Sequence, residues 1–441
     1  MGKYFGTDGV RGVANEKLTA AMAFKIGEYL GHVYQGNKVI IGSDTRISKD
    51  MLRASLCAGL TSQGVDVCNV GVVSTPCVSY LTKNDKFKAG IMISASHNPY
   101  YDNGIKIFNE KGEKISAELE NEIEDFIDNK IDLKHTSRDH IGRIIEYNDH
   151  VNYYLDNIIS TVEEDLSSFK IAVDCANGSA SQIVSKVLSD LNINAYIIDN
   201  KPDGYNINVD SGSTHLNNIA NFVKKNEGFD LGLAFDGDAD RVLAVDEEGN
   251  EVDGDQIMYI CARYLKEKDK LVNNTIVTTV MSNIGLYKAL DKHNIAYDVV
   301  SVGDKYVYES LKKNKLSLGG EQSGHIIFNE YANTGDGMLS GIQLLNALKY
   351  FNKSLNMMLK ELTVYPQLLK NVRVVDKDKV LNNELLLTKV TEVENTLKDN
   401  GRVLLRASGT EPLIRVMVEA ASDEEAKKYV DVLVDIIEGI E

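Results

Sequence analysis

Buried-strand runs alternate with amphipathic helical stretches along most of this chain, and that alternation restricts the fold more than any other feature. Val39 to Ile41 is an apolar run that breaks into Gly42-Ser43-Asp44-Thr45-Arg46. A helix follows from about Ser48, with Leu52, Leu56 and Leu60 on one face and Gly64 as its stop. Val65 to Val70 predicts a strand, and Thr75-Pro76 opens a helix with proline in its first turn. Ala89 to Ile93 predicts a further buried strand, and residues 116 to 130 an acidic amphipathic helix. The pattern restarts at Ile171 to Asp174 and again after Asp253. Three rounds of about a hundred residues imply three consecutive mixed-sheet α/β domains. Residues 370 to 441 differ, with strands at Val372–Val374, Val403–Arg406 and Leu413–Val418 and a closing helix, which predicts a smaller C-terminal α+β domain. The expected domains are 1–150, 151–252, 253–366 and 367–441.

Length agrees with several domains, since 441 residues exceed one ordinary core. A hydrophobic content of 43% with 26% charged residues describes a soluble globular protein. The net charge of −17 argues against nucleic acid, which needs a basic face, but leaves room for a small anion held by local cations. No apolar run reaches membrane-spanning length, so no membrane partner is expected. Cys57, Cys68, Cys77, Cys175 and Cys261 are odd in number and never spaced as C-x-x-C, which points to reduced thiols in the cytoplasm rather than a zinc site.

Four stretches carry chemistry. The first is Ser94-Ala95-Ser96-His97-Asn98-Pro99, which follows the strand at 89–93. Proline has no N–H and restricts Asn98, so the chain must leave any ladder there. Asp102-Asn103-Gly104 reads as a turn, and Ile105 to Phe108 as the next strand. A hydroxyl and an imidazole are thus presented on a tight loop, with Lys106 just beyond. A lone Ser-His pair reads as an ordinary polar loop, so its company decides.

The second stretch is Asp236-Gly237-Asp238-Ala239-Asp240-Arg241 at the end of the apolar run 231–235. Carboxylates this close repel unless a cation neutralises them. They are hard oxygen donors, which suits Mg²⁺. An EF-hand is excluded because Arg241 stands where its sharp-turn glycine must be. The third stretch, Gly320-Glu321-Gln322-Ser323-Gly324-His325, offers polar groups for hydrogen-bonding a polyol. The fourth is Arg406-Ala407-Ser408-Gly409-Thr410-Glu411-Pro412 with Arg415, where loop N–H groups and two guanidiniums suit a phosphate.

With Phe5-Gly-Thr-Asp-Gly-Val-Arg-Gly12 and Val302-Gly-Asp-Lys-Tyr306, these motifs resemble the α-D-phosphohexomutase superfamily over the whole chain, in order and spacing. The likeness is greatest to the branch that acts on glucosamine phosphates, on the opening motif and Gln322. The resemblance implies four domains around a central cleft and an enzyme that interconverts glucosamine 6-phosphate and glucosamine 1-phosphate. The reaction would pass through a phosphoserine and a 1,6-bisphosphate, feeding UDP-N-acetylglucosamine and cell-wall precursor synthesis. By the same resemblance Ser96 carries the phosphoryl group. Asp236, Asp238 and Asp240, with Ser96, hold Mg²⁺. Glu321 and Ser323 contact sugar hydroxyls. Arg406, Ser408, Gly409, Thr410 and Arg415 hold the phosphate that is not reacting. Lys305 joins them, although the branch commonly has arginine there, and lysine lacks the bidentate fork. Arg241 and Lys106 add positive charge beside the reacting group, and Arg11, His97, Lys106 and His325 are the candidates for moving its proton. A homodimer is a further expectation.

Other readings compete. Glucose- or mannose-phosphate mutases of the same superfamily share these motifs. A phosphatase with Asp236 as nucleophile would explain the aspartates alone, leaving the serine loop and the C-terminal motif without a role. A non-catalytic sugar-phosphate-binding protein would need neither Ser96 nor all three aspartates.

Overall fold

The computed structural model describes residues 2–408 and 411–440. The chain divides into two compact units, Met1–Val280 with Ile295–Leu359, and Met281–Asn294 with Lys360–Glu441.

The larger unit contains three mixed sheets. The first is seven-stranded, in the order Phe5–Gly6, Gly9–Val13, Asp102–Asn109, Ala89–Ile93, Lys38–Ser43, Asp66–Val72 and Ile144–Glu146. Lys38–Ser43 runs parallel to both Ala89–Ile93 and Asp66–Val72, so the loops after these strands leave one edge of the sheet together. Helices Ala20–Val33 and Lys49–Ser62 pack on one face, over a core that includes Ile26, Leu30, Leu56, Leu60, Ile41 and Ile91. The second sheet is five-stranded, with Leu231–Phe235 between antiparallel Val242–Val245 and parallel Lys170–Asp174. The third has four strands, among them Thr275–Thr279, parallel to both Ala296–Val300 and Leu318–Gly320. These mixed sheets with their helices are the α/β architecture expected from the alternation.

The smaller unit is an antiparallel sheet of Gln367–Arg373, Leu413–Glu419 and Arg402–Ala407, covered by helices Glu384–Leu397 and Asp423–Ile440. Helix Ile284–Lys292 joins it. The buried Glu419 carboxylate accepts from the Ile284 N–H at 3.2 Å and from Arg402 Nε at 2.7 Å.

One expectation is corrected. Asp102-Asn103-Gly104 is not a turn but the start of strand Asp102–Asn109, paired antiparallel with Gly9–Val13. Gly104 serves close packing here, since a Cβ would lie 2.4 Å from the Ser94 carbonyl oxygen. The chain reverses earlier, at Pro99, whose carbonyl accepts from the Asp102 N–H at 3.1 Å. Among the described residues, no helix is long and apolar enough to cross a membrane.

Candidate active site

Ser96 sits at the C-terminal side of strand Ala89–Ile93, 1% exposed, in the left-handed backbone region with φ 54°. That conformation is unfavourable for a residue with a Cβ and persists only where the surroundings hold it. The holding group is Arg46, fully buried in the loop after the neighbouring parallel strand. Its Nε donates to Asp44 Oδ2 at 2.9 Å. Its Nη2 donates to the carbonyls of Ser96 and Asn98, both at 2.8 Å. Its Nη1 donates to the carbonyls of Pro99 and Asp102. Every N–H of the guanidinium is therefore used, four of them on one short loop. Asn208 adds a second donor to the Ser96 carbonyl at 2.9 Å. Ser94 Oγ accepts from the Ser96 N–H at 2.9 Å and donates to Asp44 Oδ2 at 2.7 Å, closing the clasp.

The aspartate loop meets this serine directly. Ser96 Oγ donates to Asp236 Oδ2 at 2.6 Å. Gly237 permits the approach, since a Cβ there would stand 2.6 Å from the Ser96 carbonyl oxygen. Asp236, Asp238 and Asp240 are buried, with one carboxylate oxygen from each within 4.8 Å of the others. Burial, then the charges of Asp240 and Asp238, push the Asp236 carboxyl well up. Thr75 Oγ1 and Lys106 Nζ both donate to Asp238 Oδ2, the lysine at 2.8 Å. The Oδ1 atoms of Asp238 and Asp240 are buried and, among the described residues, accept no hydrogen bond. Two orphaned anionic oxygens next to a third carboxylate fit a hard divalent cation.

Cations surround the triad. Lys106 Nζ reaches Asp240 Oδ2 at 3.0 Å and Asp8 Oδ2 at 3.1 Å. Asp8 lies in the tight turn between strands Phe5–Gly6 and Gly9–Val13 and also binds Arg11 and, at 2.8 Å, Lys114. Although burial opposes it, these three cations hold the Asp8 carboxyl well below the usual range. Lys114 continues to Asp304 Oδ2 at 2.6 Å, which stands 3.8 Å from His325 Nε2. An ionic chain thus runs from the aspartate triad through Lys106, Asp8 and Lys114 to Asp304, beside the loop that carries His325. Arg241 donates its N–H to Asp236 Oδ1 at 3.2 Å, with Nε 3.9 Å from Asp240 Oδ1. His97 Nδ1 is 3.5 Å from Ser96 Oγ. Burial, helped by Arg241 and Arg11, pushes that imidazole down to about 4, so it is neutral at neutral pH.

The remaining expected residues are less tightly placed. Glu321 Oε1 accepts from the Gly303 N–H at 3.0 Å, and Ser323 is exposed. Gln322 is committed to the start of helix Gly254–Glu267, donating to Asp253 Oδ2 at 3.1 Å. Lys305 is exposed and comes only to 4.0 Å from Glu309. It lines a cavity of about 740 Å³ with Thr7, Lys114, Asp304 and Lys312, which contains none of the three aspartates. In the smaller unit, Arg406 and Arg415 are cross-strand partners on adjacent strands, and the Nε of each is buried without a hydrogen bond among the described residues. Like charges directly opposite destabilise a strand pair, and an anion between them relieves this. Ser408 is buried and follows the strand. Gly409 and Thr410 lie outside the described residues.

Asp44, Arg46, Thr75, Asp8, Lys114 and Asp304 were not singled out from the sequence. A signal existed for the first two. Both follow a parallel strand's C-terminal end, next to the strand that delivers Ser96, where α/β sheets gather their ligands.

Comparison with known proteins agrees along the chain. Residues 2–134, 146–249, 253–365 and 369–436 match the family described as phosphoglucomutase/phosphomannomutase, in its alpha/beta/alpha domains I, II and III and its C-terminal domain respectively. The chain is 52% identical to the phosphoglucosamine mutase of Geobacillus thermodenitrificans over 442 residues, 99% of this chain and 98% of that one. It is 51% identical to that of Bacillus cereus over 444 residues, 100% of this chain and 99% of that one. The solved phosphoglucomutase/phosphomannomutase family protein of Burkholderia thailandensis has a TM-score of 0.80 at 22% identity, covering 99% of this chain and 97% of that one, a likeness of fold. Matched from end to end by relatives at this identity, the chain belongs to the phosphoglucosamine mutases of the α-D-phosphohexomutase superfamily.

Proposed function

We infer that the protein interconverts glucosamine 6-phosphate and glucosamine 1-phosphate through a phosphoserine enzyme and a 1,6-bisphosphate. For the chemistry, the observation that carries this reading is the Ser96 hydroxyl held 2.6 Å from Asp236 within the buried aspartate triad. The substrate rests on the family assignment.

In the first half-reaction a substrate hydroxyl oxygen bonds to the phosphorus on Ser96 Oγ while the Oγ–P bond breaks. The bisphosphate then turns, its other phosphate returns to Oγ, and product leaves. Phosphoryl transfer needs positioning and charge stabilisation more than covalent work from the protein. Arg46 and Asn208 fix the loop that presents Oγ, and Lys106 and Arg241 supply fixed positive charge around the transferring group. The proton lost by the attacking hydroxyl has to be regained at Ser96 Oγ, and His97, uncharged at neutral pH and so able to accept it, stands 3.5 Å from Oγ and is assigned its transfer. Arg11 carries a permanent guanidinium charge and is assigned to holding Asp8 rather than to proton transfer. Asp236, Asp238 and Asp240 would hold Mg²⁺, which would supply positive charge beside the phosphoryl group. Glu321 and Ser323 are assigned to the sugar hydroxyls, Lys305 to phosphate contact, and Arg406, Ser408 and Arg415 to the phosphate that is not reacting. The buried, unpaired thiols accord with a reducing cytoplasm.

The test is to supply glucosamine, glucose and mannose 6-phosphates separately, with a catalytic amount of the matching 1,6-bisphosphate, and follow the 1-phosphates by ³¹P NMR. Preferred turnover of the amino sugar supports the reading. Faster turnover of glucose or mannose phosphate would reassign the substrate while leaving the chemistry standing.

A further inference from the structure

Lys106 occupies an unusual position. Its ammonium is 2% exposed and lies within 3.1 Å of three carboxylates: Asp238 at 2.8 Å, Asp240 at 3.0 Å and Asp8 at 3.1 Å. Two of these belong to the triad that fits a divalent cation, and the third does not. A divalent cation on the triad and an ammonium bound to the same carboxylates repel each other at short range. A buried ammonium cannot simply be released, because an unpaired charge in the interior is very costly. It needs another carboxylate within reach.

Asp8 is that group. It sits in a two-residue hairpin turn on a different strand pair from the triad, and its carboxylate is held ionised by Lys106, Lys114 and Arg11. Lys114 holds Asp8 Oδ1, the oxygen that Lys106 does not contact, and is itself anchored by Asp304 at 2.6 Å, so the Asp8 carboxylate is braced. Lys106 already touches it, so only a small rotation of the lysine's end is required.

We propose that Asp8 is a positioning residue that receives the Lys106 ammonium when the aspartate triad takes up a divalent cation. Asp8 acts through Lys106 and touches neither the metal nor the substrate. Without it, Lys106 stays on Asp238 and Asp240 and competes with the incoming cation. The proposal rests on the triad being the Mg²⁺ site, and the experiment separates the two ideas.

Metal binding is measured on the full-length protein without substrate, by calorimetry with Mg²⁺ and by electron paramagnetic resonance with Mn²⁺. The proteins are wild type, Asp8→Asn, Lys106→Met and the double variant. Asp8→Asn should weaken binding by about 10- to 100-fold, the scale typical of groups that orient a metal's ligands. Lys106→Met should tighten it, since a competing cation is gone. In the Lys106→Met background the Asp8→Asn change should alter affinity by no more than about threefold, because the coupling between the two positions is then absent. An Asp8→Asn loss of equal size in both backgrounds would mean that Asp8 acts on the metal as a distant charge, and the proposal fails. If the wild type binds no divalent cation, the metal-site reading itself is wrong. A crystal structure of the Mg²⁺-loaded wild type tests the point without any variant. Lys106 should be hydrogen-bonded to Asp8 and more than about 3.5 Å from the Asp238 and Asp240 oxygens it now binds. A lysine unmoved from both aspartates overturns the proposal.

Discussion

Ser96 and Asp236, 140 positions apart in the chain, share a 2.6 Å hydrogen bond from Oγ to Oδ2. The serine comes from one sheet and the aspartate from another, so the bond joins the serine loop to the carboxylate triad. In the proposed mechanism it ties the loop that carries the transferable group to the groups that manage its charge.

Ser96→Ala should reduce turnover by at least about a thousandfold, because the hydroxyl assigned to carry the phosphoryl group is gone. The fold should survive, since the loss of one hydrogen bond costs about 1 kcal/mol. A steady-state assay beside a thermal melt checks both. Near-normal turnover in a sample free of wild-type enzyme would remove Ser96 from the mechanism.

Arg46→Met should destabilise the larger unit by about 3–5 kcal/mol, the usual effect of removing one partner from a buried ion pair. It leaves Asp44 buried and unpaired, and four carbonyls lose a donor. Arg46→Lys keeps the charge but cannot span those acceptors, so it should fall between the two. Urea denaturation followed by circular dichroism gives the comparison. Equal stability of all three proteins would show that the clasp carries no energy.

Asp336 provides a pH-dependent test of the packing behind the aspartate loop, since the adjacent Gly337 N–H donates to the Ala239 carbonyl at 3.0 Å. It is buried at the start of helix Gly337–Phe351 and accepts from the Tyr154 hydroxyl at 2.9 Å. Burial pushes its carboxyl up to about 6, against 3.8 for an ordinary aspartate. The folded form therefore holds its proton more tightly than the unfolded form. The stabilisation is complete below the unfolded value and is lost as pH rises through about 6. Asp336→Asn abolishes the titration yet can still cap the helix. Its stability relative to wild type should rise by on the order of 2–3 kcal/mol between pH 4 and pH 7. A constant difference across that range would show that Asp336 is not perturbed.

Arg415→Ala should weaken substrate binding and raise the fraction of bisphosphate released before the second transfer. Burial, then the charge of Arg415, lower the Arg406 pKa, so the pair is poised for an anion. Free bisphosphate measured by ³¹P NMR alongside turnover reports the effect. Metal binding should not change. If release and affinity both match wild type, these arginines do not hold the far phosphate.

Much of this was legible in the sequence because it depended on local pattern. The strands Ala89–Ile93, Leu231–Phe235 and Val242–Val245 are continuous apolar runs bounded by polar loops, and they appear where periodicity places them. The serine loop and the aspartates follow such runs, so their placement at strand ends could be read directly. Helix Gly337–Phe351 was harder, because most of its length is buried and it presents no amphipathic stripe. Asp102-Asn103-Gly104 misled because turn composition yielded to pairing with a distant strand, a tertiary effect. Arg46, Thr75 and Asp8 matter through partners far away in sequence. Thr75 donates its backbone N–H to the Asp238 carbonyl and its hydroxyl to the Asp238 carboxylate, a contact across 163 positions that no spacing rule announces.

The Arg46 clasp also bears on the timing of the reaction. With every guanidinium N–H taken and Ser96 held at φ 54°, the serine loop has no slack with which to follow a moving acceptor. Yet both ends of the sugar must meet the same oxygen from the same direction. The tumbling has to be done by the bisphosphate, against whatever water and side chains surround it, while the serine waits. Such a step is frictional rather than chemical. A part of the turnover time should therefore lengthen in viscous solvent, and exchanging the transferred atoms for heavier isotopes should leave that part unchanged.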